Sequence, residues 1–200
     1  MPAGADPNTP SDHTQSISAP WRLSYMELLG AESAAPKPGG APAKGSCFLR
    51  DNWLNPAGDE KNHVIVRTGT EALGRGGMIL LNKYPYSNGH LLVCLGEGRP
   101  RLLDYDERRR GELWSLVDLA VDLCERALRP QGVNVGVNQG AAAGAGVPEH
   151  VHVHVVPRWA GDVNFTSVCA QVRVIPSALE DMARRYREAW TRLRPTRESR

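Results

Sequence analysis

Residues His150 to Pro157 read His-Val-His-Val-His-Val-Val-Pro, an alternation of imidazole and valine that suits an extended strand. Side chains on a strand point to opposite faces with a period of two. His150, His152 and His154 therefore share one face, and Val151, Val153 and Val155 share the other. Packing accounts for the valines. It does not account for three aligned imidazoles, which titrate near neutral pH and need hydrogen-bond partners when buried. The run predicts a strand with one face in the core and the other carrying a site.

The rest of the chain supplies a frame for that strand. At 200 residues it is long enough for one well-buried domain plus a tail. Residues 1–45 are rich in Pro, Ala, Gly and Ser and are expected to be largely disordered, with an apolar docking segment at 21–29 (Trp21 to Leu29). The domain is expected over 46–195, with a short disordered tail at 196–200. From Cys47 onward the pattern turns to short strands: His63 to Arg67, Gly77 to Asn82 and His90 to Leu95, separated by Gly, Pro and Asn turns. These read as an antiparallel meander. Leu113, Leu116, Val117, Ala120, Val121, Cys124, Ala127 and Leu128 fall at helical spacing, predicting a long amphipathic helix that opens near Asp104 to Glu107 and closes at Pro130. Val133 to Asn138 and Val151 to Pro157 complete a five-stranded sheet. A C-terminal helix follows, with Ser177 and Glu180 at capping-box spacing and a stripe of Leu179, Met182, Ala183, Tyr186, Trp190 and Leu193. The predicted class is α+β.

Composition narrows the partners. A formal net charge of +2 from nearly balanced acids and bases argues against a nucleic-acid polymer or a membrane surface, while a small anion remains compatible. Cys47, Cys94, Cys124 and Cys169 are scattered without C-x-x-C spacing, which suits buried thiols in a reducing, cytoplasmic setting. No apolar stretch has the length of a membrane span, and Met1 is not followed by a secretion signal.

The loop from Gln139 to Glu149 is built of Gly and Ala, which let backbone N–H groups approach an oxyanion closely. Directly before three in-register histidines, such a loop can cradle a phosphate. Together, Asn134 to Gly140, Gly144, Gly146, Glu149 to Trp159, Gly161 to Phe165, Val174 to Pro176, Leu81 to His90 and the Trp21 arm resemble the histidine triad (HIT) superfamily. Within it they are similar to the branch containing bacterial diadenosine tetraphosphate phosphorylases.

The resemblance implies a HIT-like fold and a set of roles. His152 would attack the α-phosphorus of a nucleotide and form a covalent nucleotidyl-histidine, with His150 near the phosphates and leaving group and His154 orienting the nucleophile. The tautomer of the nucleophile must be chosen by a fixed acceptor, in part a backbone carbonyl. By the same resemblance Asn82 contacts ribose, His90 supports the triad from behind, and either Asn138 or Gln139 ends the strand before the phosphate loop. Gly144 shapes that loop, and Gly146 and Val147 offer backbone donors. His13 and His63 match no such position.

Many relatives bind zinc through a C-x-x-C pair and a further His. Cys47-Phe48-Leu49-Arg50 keeps only the first cysteine and Gly96 to Arg99 has no histidine, so no metal and no cofactor are expected. The implied substrates are a dinucleoside polyphosphate and inorganic phosphate, in a homodimer or homotetramer. Water as acceptor, a nucleoside phosphoramidate substrate and a histidine metal site remain alternatives.

Overall fold

The computed structural model describes residues 47–70, 75–162 and 175–198, all within a compact unit bounded by Lys44 and Arg200. Its strands are β1 (Val64–Thr70), β2 (Arg75–Leu81), β3 (Leu91–Leu95), β4 (Gly132–Val137) and β5 (Val153–Arg158). They form one antiparallel sheet in the order β1-β2-β3-β5-β4. The histidine-bearing strand is thus inserted between β3 and β4, and Leu92 and Gly136 lie directly beside His154. The helices are α1 (Phe48–Leu54), α2 (Glu107–Leu128) and α3 (Leu179–Glu198). No helix among the described residues is long and apolar enough to cross a membrane.

Alternation along the strands produces two apolar faces. Ile79, Leu81, Leu91, Val93, Leu95, Val153 and Val155 point to the side covered by α2 and α3, where they meet Leu113, Ala120, Leu123, Met182 and Tyr186. Their neighbours Met78, Leu80, Leu92 and Cys94 point the other way, against Leu49 and Trp53 of α1 and Val147. Each buried Leu or Ile contributes roughly 1.5–3 kcal/mol by leaving water, so both faces matter to stability. The predicted stripes of both long helices lie in this core, joined by Leu119 and Leu123 of α2 and Ala189 of α3. α2 opens where Asp106 accepts the Arg109 N–H at 2.7 Å and closes at Arg129, which takes a left-handed conformation before Pro130.

β1 runs three residues past Arg67 and β2 starts two before Gly77, and four further departures from the sequence expectation bear on the packing. The first element after Cys47 is the helix α1, not a strand; Leu49 and Trp53 supply a single i, i+4 repeat, too little to register as periodicity. Cys47 caps it, its Sγ accepting the Arg50 N–H at 3.4 Å. Arg67 on β1 satisfies its far end, donating to the carbonyls of Trp53 and Asn52 at 2.9 Å each. Second, β5 begins at Val153 rather than Val151. Pairing stops at Val153, which lies opposite Val93 on one side and Val137 on the other, so residues 150–152 lie outside both ladders. Third, α3 continues to Glu198, into the 196–200 stretch expected as a tail. Fourth, α3 starts at Leu179 and the Ser177 hydroxyl oxygen accepts from Asn88 Nδ2 at 3.3 Å. The docking segment at 21–29 and the rest of 1–45, Cys169, and residues 163–174 lie outside the described residues.

Replacing Leu49, which is completely buried, by Ala should cost about 2–5 kcal/mol in urea unfolding. A loss below about 0.5 kcal/mol would show that α1 does not pack on the sheet.

Candidate active site

The lead-in to β5 lies outside the ladders: the His150 N–H donates to the Val147 carbonyl at 3.2 Å and the Val151 N–H to the Arg99 carbonyl at 2.7 Å. The His150 carbonyl accepts from His152 Nδ1 at 2.9 Å. A carbonyl can only accept, so Nδ1 of His152 carries the proton and Nε2 keeps its lone pair. His150 is held the opposite way: Nε2–H donates to the Leu95 carbonyl at 2.8 Å, leaving Nδ1 to accept from the Cys47 thiol at 3.2 Å. Gly98 permits this seating, because a Cβ there would lie 3.0 Å from His150 Nδ1.

A second chain of donors fixes His154. The Tyr86 backbone N–H donates to His90 Nδ1 at 3.1 Å, and Asn82 Nδ2 donates to the same atom at 3.2 Å. His90 must then donate through Nε2–H, which reaches His154 Nδ1 at 2.9 Å. His154 consequently presents an Nε2–H, and that buried atom has no partner among the described residues. Its ring lies edge-on to His152, with centroids 4.9 Å apart. The site therefore contains a lone pair on His152 and an uncommitted donor on His154.

The loop holding His90 is anchored from behind. Tyr186 of α3 donates its hydroxyl to the Gly89 carbonyl at 2.7 Å, and Gly89 adopts φ 76°, where a Cβ would run into Leu128. Asn82 sits one link behind His90, with its Oδ1 accepting the Tyr84 N–H at 2.9 Å. Its position supports the triad whether or not it also meets a ribose.

In the small-residue loop a 3-10 turn at Ala141–Ala143 ends at Gly144, whose φ is 81° and whose N–H is spent on Ala141 O at 2.9 Å. The N–H groups of Gly146 and Val147 meet no acceptor among the described residues, and the Val147 side chain is buried in the α1 cluster. Gly146 has open space where a Cβ would stand, and so does Gly136 beside His154. Of the two competing residues, Asn138 reaches toward the site, its Nδ2 lying 3.5 Å from the Tyr86 hydroxyl. Gln139 turns away, its Oε1 accepting the Leu102 N–H at 2.9 Å.

Cys47 and Tyr86 were not among the sequence candidates. Tyr86 stacks on His154 at 5.4 Å and 21° and lies 4.7 Å from His90. Nothing in their local sequence marked them, since Cys47 acts across 103 positions of chain. His63 stands apart, 3.9 Å from Glu180.

Burial sets the protonation states. His90 and His150 are completely buried, and His152 and His154 nearly so. Loss of water pushes His150 and His152 below the ordinary histidine value, partly opposed by the carbonyls that accept from them. His154 is pushed down to about 4 by burial, with repulsion from His152 adding to it. Burial raises Cys47, which stays a thiol. Neutral imidazoles are the form a nucleophilic site requires.

A five-stranded antiparallel sheet that presents three in-register histidines beside a glycine loop defines the histidine triad class. Residues 76–161 match the family described as HIT domain. The chain is 34% identical over 182 residues to a Mycobacterium tuberculosis protein named AP-4-A phosphorylase, covering 90% of this chain and 87% of that one. The chain belongs to the HIT family. A stretch of 82 residues, 41% of this chain and 44% of the relative, is 34% identical to the Schizosaccharomyces pombe bis(5'-nucleosyl)-tetraphosphatase [asymmetrical]. A Zn-bound histidine triad family protein from Mycobacterium smegmatis shares the fold, with TM-score 0.59 and 24% identity over 76% of this chain and 97% of its own.

That neighbour's zinc raises the question of a metal here. Cys47 and His150 are in contact, but they bond to each other, and no group of three or more His, Cys, Asp or Glu among the described residues is placed to hold a metal ion. Structural zinc takes four such ligands. The described residues do not fit one.

Folding stability should depend on pH through His154. Unfolded, it takes up its proton near 6.5; folded, it resists until about 4. Stability from this group is therefore complete above 6.5 and falls as pH drops toward 4, by roughly 3 kcal/mol at most. Urea unfolding across that range should show a shallower slope in His154→Ala, and identical slopes would mean that His154 titrates normally.

Proposed function

We propose that this chain cleaves dinucleoside polyphosphates, diadenosine tetraphosphate in particular, by two in-line displacements at the α-phosphorus. The observation that carries the reading is the commitment of His152 Nδ1–H to the His150 carbonyl, which leaves a neutral Nε2 lone pair as nucleophile. In the first displacement His152 Nε2 forms a bond to the α-phosphorus and the bond to the polyphosphate oxygen breaks, releasing ATP. The imidazolium charge that develops is stabilised by the same carbonyl. His154 Nε2–H and the Gly146 and Val147 N–H groups supply donors for the phosphoryl oxygens. In the second displacement an oxygen of inorganic phosphate takes the nucleotidyl group, giving ADP and restoring His152. With water in its place the product is AMP.

Phosphate as acceptor is supported by the name of the mycobacterial relative, which spans nearly the whole chain. The hydrolytic alternative is supported by the tetraphosphatase relative, which matches less than half of it. The same reading makes the chain a homodimer or homotetramer, with exposed Trp114 on α2 and Val135 on the edge strand β4 as contact surfaces. Three buried free cysteines suit the cytosol.

Incubated with diadenosine tetraphosphate, the protein should form ADP and ATP only when phosphate is present. His152→Ala should lower kcat/KM by more than about a thousandfold and abolish the adenylylated species seen by intact-mass spectrometry. Full activity in that variant would sink the covalent route, and AMP formed without phosphate would assign the hydrolase. Cys47 reaches the site through His150, so Cys47→Ala should reduce kcat by about tenfold with little change in KM. Cys47→Ser, which keeps a donor, should restore most of it; equal defects in the two would mean that the thiol serves packing alone.

A further inference from the structure

Away from the three histidines, arginines from three different elements converge on one cavity. Arg50 of α1, Arg75 at the start of β2 and Arg109 in the first turn of α2 line a space of about 210 Å³, with Trp53, Gly76 and Gly96 completing its wall. Gly96 has to be glycine there, because a Cβ would run into the Trp53 indole. The one carboxylate in the lining, Glu97, is ion-paired to Arg99. Glu112 engages Nη1 of Arg109, and Nη2 lies 3.5 Å from the Gly76 carbonyl.

Two observations indicate room for a further acceptor. The Nε of Arg109 is buried and has no acceptor among the described residues, whereas buried donors are nearly always satisfied. Arg75 has no ion-pair partner among the described residues. Guanidinium groups gathered around one cavity give it a positive potential that favours an anion. Guanidinium forks match the oxygens of a tetrahedral oxyanion, donating two parallel N–H bonds to each. An inorganic oxyanion fits within the cavity.

We infer that this cavity is a second anion site, which binds inorganic phosphate or a closely similar oxyanion apart from the histidine site. It neighbours the triad without including it. Gly96 follows Leu95, whose carbonyl holds His150, and Arg50 lies on the helix capped by the Cys47 thiol. An anion joining Arg50 to Arg75 and Arg109 would tie α1 to the sheet and to α2 at the place where His150 is held.

The test is an NMR titration of the full-length, 15N-labelled protein with inorganic phosphate at constant ionic strength. The Trp53 indole and the Gly76 and Gly96 amides should shift saturably, and Arg75→Glu should raise their midpoint by at least about tenfold. The Gly146 and Val147 amides, which report the histidine site, should keep the same midpoint in both proteins. Arg75 is exposed, so the remainder of the amide spectrum serves as the folding control, and Arg75→Ala is the milder second variant. Sulfate should reproduce the shift and chloride should not. The inference is overturned if Trp53, Gly76 and Gly96 show no saturable shift, if their midpoint is unchanged in both Arg75 variants, or if chloride acts as well as phosphate.

Discussion

The hydrogen bond from His152 Nδ1 to the carbonyl of its own neighbour, His150, is the contact on which the site depends. In a fully paired central strand that carbonyl would belong to the ladder. Here the ladders with β3 and with β4 both end at Val153, so the His150 carbonyl lies outside them. The nucleophile's tautomer is thus chosen by a break in the sheet. The same break exposes the Leu95 carbonyl to His150 and allows the Cys47 thiol to approach its other nitrogen.

The two faces of the sheet divide the work. One is conventional core, where valines of β5 and leucines of β3 meet α2 and α3. The other is apolar beneath α1 but turns polar at β5, where imidazoles stand in line with Leu92 and Cys94. Burial there does two things together: it keeps the histidines neutral, and it obliges each ring nitrogen to find a partner. The donors run in one direction, from Tyr86 and Asn82 through His90 to His154, and end on a nitrogen that has none. A chain of bonds that ends on an unsatisfied buried donor is the arrangement expected where a phosphoryl oxygen completes it.

Much of this was legible from residue order. The alternation at His150 to Pro157, the helical stripes after Asp104 and Ser177, and the turn residues between short strands are periodic signals that depend on local geometry alone. The triad and the small-residue loop could be picked out on the same grounds, and His90 by likeness to a family. Asn138 and Gln139 could not be separated, because the choice depends on whether Leu102, 37 positions away, captures one of them. α1 was missed because seven residues carry too little period, and Cys47 and Tyr86 because their roles arise from approach across the fold.

Residue order alone settles which side chains share a face, since that follows from the two-residue repeat of any extended chain. It also determined which segments could form helices and that the histidines would meet a glycine-bearing loop. The tertiary structure decided which nitrogen of each imidazole carries the proton and which asparagine or glutamine faces inward. It also decided that three arginines from separate elements meet around a cavity. These depend on distances between groups far apart in the chain, and hydrogen bonds and charge interactions between such groups exist only once the sheet order and the ends of its strands have been set.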